Sequence, residues 1–82
     1  MTFTEHDILA GLANIISEET GADPATITPE QTISGDLDLD SLSRLTIATH
    51  AEDMFNVAIP DEEIDKFYTV ADLATYITNA KA

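Results

Sequence analysis

Three aspartates and a serine lie within six consecutive residues of the sequence. Asp36, Asp38 and Asp40 alternate with leucines, and Ser41 follows directly. This spacing opens an EF-hand calcium loop, which also requires glycine at its sixth position and glutamate at its twelfth. Ser41 and Ile47 hold those two positions. We therefore expect no dedicated metal site, although so acidic a surface should bind divalent cations weakly.

Ser41 would act as a nucleophile only if a neighbouring base activated it. A nucleophile elbow needs glycine two residues before and two residues after the serine, where this chain has Leu39 and Ser43. His50 lies about 180° from Ser41 around a helix and more than two turns away, out of hydrogen-bonding reach. The chain has no cysteine, so it supplies neither a thiol nucleophile nor a thiolate metal site. We therefore predict no catalytic residues and a protein that is not an enzyme.

What remains at Ser41 is an exposed hydroxyl where a long loop meets the start of a predicted helix. A phosphoryl group attached there would meet free backbone N–H groups at the helix N-terminus. The neighbouring aspartates disfavour spontaneous capture of an anion, so an enzyme would have to attach such a group covalently. An ordinary capping serine is the alternative interpretation, and Ser41 alone does not decide between the two.

Apolar spacing predicts helices on both sides of this junction and no convincing strand. The first helix precedes the loop, the second runs from about residue 41 to 55, a short third helix covers 61–67, and a last helix follows Thr69. We therefore predict a single domain over residues 1–82. Its fold class is all-α, a small bundle of three longer helices and one short helix.

Capping residues bound the first helix and the loop behind it. Thr4 is a good N-cap with Asp7 three residues on, and Gly21 is a good C-cap. Prolines, a glycine and recurring apolar side chains follow in residues 22–40. This composition predicts a long ordered loop that is pinned to the core, and long loops in small domains tend to be functional.

The second helix has two faces of different composition. At about 100° per residue, one face is apolar and is predicted to join the core: Ile47, Ala48, Ala51, Met54 and Phe55. The opposite face mixes leucines with acids and threonines: Leu42, Leu45, Thr46, Thr49, Glu52 and Asp53. This second face has the composition of a docking surface, although a solvated face with incidental leucines remains the alternative.

The charge of the chain restricts its partners. Sixteen acidic and three basic residues give 82 residues a formal charge of −13. Nucleic acids and anionic membrane surfaces require a basic footprint that three cations cannot supply. Basic proteins are the expected partners. The sequence has neither a signal peptide nor a membrane span, so we expect a cytoplasmic protein.

The run of residues 36–42, D-L-D-L-D-S-L, resembles the D-L-G-x-D-S-L signature of acyl carrier proteins. Phe55 with Ile59-Pro60-Asp61-Glu62 is similar to the F-x-x-x-I-P-D-E junction of that family. Thr69-Val70, Asp72 and Tyr76-Ile77 match its final helix. The motifs occur in the family's order and spacing and span essentially the whole chain.

The resemblance implies that a phosphopantetheinyl transferase attaches 4′-phosphopantetheine from coenzyme A to Ser41. The arm supplies the thiol that the chain lacks and carries acyl groups as thioesters between fatty-acid, polyketide or related lipid biosynthetic enzymes. A monomer is expected. Basic patches of the partner enzymes would dock on Asp36, Asp40, Leu42, Leu45, Thr46, Glu52 and Asp53. The acyl pocket would be lined by Ile47, Ala51, Phe55 and Ile64, together with the first and last helices.

Three residues depart from the family pattern. Asp38 replaces the signature glycine, Thr46 stands where fatty-acid carriers commonly have glutamate, and Arg44 adds a cation one turn after Ser41. A docking face that is less acidic than the chain as a whole predicts a specialised rather than a housekeeping pathway. An aminoacyl or peptidyl carrier and an unmodified acidic interaction or cation-binding module remain as alternatives.

Overall fold

The computed structural model describes residues 3–81 and shows four α-helices. They are α1 (Glu5–Thr20), α2 (Ser41–Phe55), α3 (Asp61–Ile64) and α4 (Val70–Lys81), with a short 3₁₀ turn at Pro24–Thr26. The prediction of three longer helices and one short one is confirmed. Over the described residues, the only extended pairing is a single antiparallel bridge between Thr32 and Thr69.

The caps of α1 match those predicted. The Thr4 N–H donates to Asp7 Oδ2 and the Asp7 N–H donates to Thr4 Oγ1, each at 3.1 Å. The backbone hydrogen bond from Thr4 is the main reason that the pKa of Asp7 lies below its ordinary value. Gly21 ends the helix with φ of 80°, and its N–H donates to the Ser17 carbonyl at 2.7 Å. Only glycine adopts this left-handed backbone without steric cost.

The core lies between α1, α2 and α4, and the centre of α2 faces it. Ile47, Ala48, Ala51 and Phe55 are buried there. The prediction for Met54 is wrong, because its side chain is 46% exposed. Gly11 of α1 lets Phe55 approach closely, which leaves Met54 at the flank of the contact with one side in solvent.

The loop between α1 and α2 is ordered, as predicted. Ile33 and Leu39 are buried in the core. The Ile33 N–H donates to the Tyr68 carbonyl at 2.9 Å, and the Val70 N–H donates to the Gln31 carbonyl at 3.1 Å. These bonds tie the loop to the start of α4 and fix the chain just before Ser41.

The short helix α3 ends earlier than predicted. It stops at Ile64 rather than at residue 67. The following N–H groups of Lys66 and Phe67 donate to the carbonyls of Glu63 and Ile64, three residues back rather than four. This bonding pattern is that of tight turns, and it leads the chain directly towards α4.

Candidate functional site

Ser41 is the first residue of α2, and it does not cap the helix. The N-cap is Asp40, whose Oδ1 accepts a hydrogen bond of 2.8 Å from the Ser43 N–H. This bond is the main reason that the pKa of Asp40 lies below its ordinary value. Because the Asp40 carboxylate accepts the hydrogen bond from the helix N-terminus, the exposed Ser41 hydroxyl is not needed to cap the helix.

The loop before Ser41 keeps the backbone shape that a glycine would give it. Asp38, the residue in place of the signature glycine, has φ of 51° in the left-handed region. Aspartate tolerates this conformation better than most residues with a side chain. Further back, the Asp36 N–H donates to Thr32 Oγ1 at 2.8 Å, and the Thr32 N–H donates to Asp36 Oδ2 at 3.0 Å. The replacement at position 38 therefore leaves the glycine-type turn in place.

Two exposed leucines follow Ser41 on the outer face of α2. The Leu42 side chain is 72% exposed and that of Leu45 is 41% exposed. Thr46 lies beside them, half-buried, and its Oγ1 donates to the Leu42 carbonyl at 3.0 Å. Exposed large apolar side chains are costly to keep in water, so their grouping beside Ser41 is typical of a contact surface.

The acids predicted for docking have different surroundings. Asp36 and Asp40 are exposed while accepting the backbone hydrogen bonds described above. Glu52 is half-buried, and its Oε2 accepts a bond of 2.7 Å from the Ile59 N–H across the turn after α2. Asp53 is exposed and borders a groove between α1 and α2 with His50. Glu52 therefore holds the α2–α3 connection, whereas Asp53 faces solvent.

Arg44 is half-buried, and its guanidinium lies beside Ser41. Its side chain is only 20% exposed. Position 44 lies about 60° from Ile47 around the helix, so its methylene stem turns towards the core. Nη2 of Arg44 lies 3.4 Å from Ser41 Oγ and 3.9 Å from Asp65 Oδ1.

Arg44 lines a small apolar cavity inside the bundle. The cavity has a volume of about 20 Å³, room for little more than one water molecule. Ile47 and Ile64, both predicted for an acyl pocket, line it. Ala51 and Phe55 do not line it, because they pack deeper against α1. The full lining is Ile16, Ile33, Leu39, Arg44, Ile47, Ala48, Ile64, Phe67, Val70 and Leu73.

Two acids near Ser41 were missed by the sequence analysis. Asp61 and Asp65 of the short helix region line a groove of about 170 Å³ together with Ser41, Leu45 and Ile64. These acids do not cap α3, because this helix has no side-chain capping hydrogen bond. The sequence feature that could have predicted this placement is the short connection after Phe55, because it forces α3 to start beside α2.

Known proteins are similar to this chain in sequence and in the arrangement of helices. The family profile described as phosphopantetheine attachment site matches residues 10–77. The chain is 49% identical to an acyl carrier protein of Beutenbergia cavernae over 82 residues, the full length of both chains. It is 49% identical over 77 residues to a meromycolate extension acyl carrier protein of Mycobacterium leprae, covering 94% of this chain and 67% of that protein.

A solved structure agrees with these matches. The acyl carrier protein from Enterococcus faecalis superposes with a TM-score of 0.79 at 31% identity, covering 95% of this chain and 99% of that one. Fold and sequence together define a small helical carrier with a phosphopantetheine attachment site. The chain belongs to the acyl carrier protein family. It carries acyl groups without catalysing their chemistry, and its partners include a phosphopantetheinyl transferase and biosynthetic enzymes.

Two further observations concern cations and membranes. Across residues 3–81, His, Asp and Glu side chains form no cluster of three that could hold a metal ion. None of the four helices has both the length and the apolar character needed to cross a bilayer. The surroundings of Ser41 suit an attached phosphodiester better than a metal, because the hydroxyl is exposed and a buried arginine Nε nearby has no hydrogen-bond partner.

Proposed function

We propose that Ser41 Oγ is the atom to which 4′-phosphopantetheine is attached. The proposal rests on one observation at the start of α2. Asp40, rather than Ser41, caps the helix, and the Ser41 side chain stays exposed. Attachment forms a bond between Ser41 Oγ and phosphorus, breaks the pyrophosphate bond of coenzyme A and releases the adenosine bisphosphate. The serine proton passes to the transferase. When bound, the group supplies the terminal thiol on which an acyl chain is held as a thioester.

Partner enzymes dock on the surface around Ser41 in this proposal. Leu42 and Leu45 supply apolar contact, and the acids on both sides of them attract basic patches. The charged groups of this surface are Asp36, Asp40, Glu52 and Asp53, with Thr46 between them. Asp61 and Asp65 extend the acidic surface across the groove beside Ser41. Such complementarity accelerates encounter and is weakened by salt.

Three wider aspects of the function belong to the same proposal. Residues 1–82 act as one domain and as a monomer in the cytoplasm, without binding nucleic acid. The acyl chain is sheltered by the cavity beside Ile47 and Ile64, which must widen towards Ala51 and Phe55 because about 20 Å³ holds no acyl chain. The family membership favours this function over a peptidyl carrier and over an unmodified acidic module.

Transfer from coenzyme A tests the attachment site. The wild-type protein is incubated with a phosphopantetheinyl transferase and coenzyme A, and intact mass is measured. One adduct is expected on the wild type and none on Ser41→Ala. Ser43→Ala is the matched control, because Ser43 lies on the same helical turn and its backbone N–H, rather than its hydroxyl, holds the cap. An adduct on Ser41→Ala, or none on the wild type with several transferases, would contradict the proposal.

We also propose that this carrier serves a specialised lipid pathway. Thr46 supports this, since it replaces a docking acid with a hydroxyl that is bonded to its own helix. One of its relatives is named a meromycolate extension acyl carrier protein. Housekeeping fatty-acid synthase enzymes should turn over the wild type poorly and Thr46→Glu better. Equal turnover of the two proteins, at the rate of a housekeeping carrier, would rule the proposal out.

A further inference from the structure

Arg44 is the only arginine in the sequence, and it occupies an unusual place. Its stem lines the apolar cavity, while its guanidinium emerges between Ser41 and Asp65. In the described residues, the other ion pair joins Lys66, which is exposed, to Glu63. An arginine side chain that is only 20% exposed requires a reason beyond the balance of surface charge.

The guanidinium has too few strong partners in the unmodified protein. Nη2 of Arg44 lies 3.4 Å from Ser41 Oγ and 3.9 Å from Asp65 Oδ1. Both distances are longer than those of good hydrogen bonds. Nε is buried and has no partner at all. Buried donors in native proteins are nearly always paired, so this Nε–H can still donate to an acceptor placed beside it.

We propose that Arg44 is the binding site for the phosphodiester formed at Ser41. The inference rests on Ser41 as the attachment site. A phosphorus atom bonded to Ser41 Oγ brings its anionic oxygens within reach of a guanidinium that already lies 3.4 Å from that atom. Arginine suits this task, because its planar fork matches phosphate oxygens with two parallel hydrogen bonds. Its charge also offsets the repulsion between the phosphodiester and the carboxylates of Asp40 and Asp65.

The position of the arginine stem gives this contact a second effect. The same side chain that holds the phosphodiester lines the cavity with Ile47 and Ile64. Arg44 thus fixes the start of the arm over the entrance to the apolar interior. It is a positioning residue that connects the attachment site to the cavity.

Nuclear magnetic resonance observes this contact without any turnover. In ¹⁵N-labelled protein the Nε–H signal of the one arginine assigns itself. We expect this signal to shift when the unmodified protein is converted to the phosphopantetheinylated form, with only a small further shift on acylation. A signal that does not change on conversion, or that changes only when an acyl group is loaded, would overturn the proposal.

Thermal melting of matched variants provides the second measurement. Arg44→Met and Lys66→Met each remove one cation, but Lys66 is exposed and pairs with Glu63 at 3.6 Å. The gain in midpoint on phosphopantetheinylation should be larger in the wild type than in Arg44→Met by roughly 4–8 °C, the size of one net hydrogen bond in a domain of this length. Lys66→Met should keep the wild-type gain, and Arg44→Lys should keep part of it.

The intact mass of every sample distinguishes failure of the attachment at Ser41 from failure of the role of Arg44. An adduct on all four proteins, with equal gains in the wild type and in Arg44→Met, would overturn the role of Arg44 and leave the attachment at Ser41 intact. Absence of the adduct from the wild type would contradict the attachment itself, and the inference about Arg44 with it.

Discussion

The two halves of α2 differ in burial. In the C-terminal half, Ala51 and Phe55 are buried completely or nearly so, and the Phe55 ring meets Phe3 edge to face at 5.1 Å. In the N-terminal half, Leu42 and Leu45 are exposed and Arg44 lines a cavity. The difference indicates that the helix is anchored at one end while the other end presents the Ser41 side chain to solvent.

The acidic side chains of α2 and its cap also differ, because some accept backbone hydrogen bonds and others only face solvent. Asp40 and Glu52 both accept backbone hydrogen bonds, at the start of α2 and just after its end. Asp53 accepts none among the bonds found in the described residues and faces solvent. The carboxylates of α2 and its cap therefore differ in how much they contribute to the fold, and mutation can separate that contribution from docking.

The largest expected effect is at the anchored end. Phe55→Ala removes a ring that is 1% exposed and should lower the free energy of unfolding by about 3–5 kcal/mol. Leu42→Ala, at the exposed end, should change it by less than about 0.5 kcal/mol. Urea denaturation measures both. Similar losses for the two variants would remove the distinction between the halves of the helix.

The closeness of α1 and α2 gives a second prediction. A Cβ atom at Gly11 would lie 2.6 Å from Phe55 Cζ and 2.8 Å from Met54 Sδ. Gly11→Ala should lower the free energy of unfolding by about 1–3 kcal/mol through overpacking, although alanine is intrinsically the better helix former. Asn14→Ala, at an exposed position of α1, should be neutral or slightly stabilising. A more stable Gly11→Ala protein would show that this contact is loose.

Two adjacent acids on α2 allow a sharper comparison. Glu52→Ala removes the acceptor of the Ile59 N–H and should lower the free energy of unfolding by about 1–3 kcal/mol. Asp53→Ala should change it by less than about 0.5 kcal/mol while slowing association with a basic partner. Denaturation together with association rates at low and high salt measures both effects. Equal stability losses would mean that the Glu52 bond contributes nothing particular.

The smallest expected effect is the loss of stability at low pH that results from protonation of Asp40, the N-cap of α2. The pKa of Asp40 is lowered in the folded protein, so its contribution to stability is complete above its unfolded pKa of about 3.9. That contribution is lost as pH falls through the lowered folded value. Asp40→Asn keeps a capping oxygen but does not titrate, so its denaturation midpoint should fall less than that of the wild type between pH 6 and pH 3. Parallel pH profiles would refute this role.

Much of the fold was predictable from the sequence, because capping and periodicity are local. Thr4 with Asp7, Gly21 and the start of α2 follow from residue types a few positions apart. Met54 was misplaced, and the burial of the Arg44 side chain was not predicted, for one reason. A helical wheel gives the angle of a side chain, but not how close the facing helix lies or whether a long stem can bend beneath its neighbours.

The site was predictable in part. Ser41 and the exposed leucines follow from motif and helical phase, and the sequence does not reveal that Asp40 alone caps the helix. Asp61 and Asp65 reach Ser41 only because the chain reverses after Phe55 and stops α3 at Ile64. Such contacts depend on tertiary geometry, which local patterns do not contain.

Amide hydrogen exchange along α2 tests the central claim, that one half of the helix anchors and the other half serves the attached group. Exchange is compared among the unmodified, phosphopantetheinylated and acylated proteins. We predict that protection changes at residues 41–47 and around Ile64, and that it stays constant from Ala51 to Phe55 and in the facing part of α1. Equal changes in both halves of α2, or changes confined to the Phe55 half, would contradict the account.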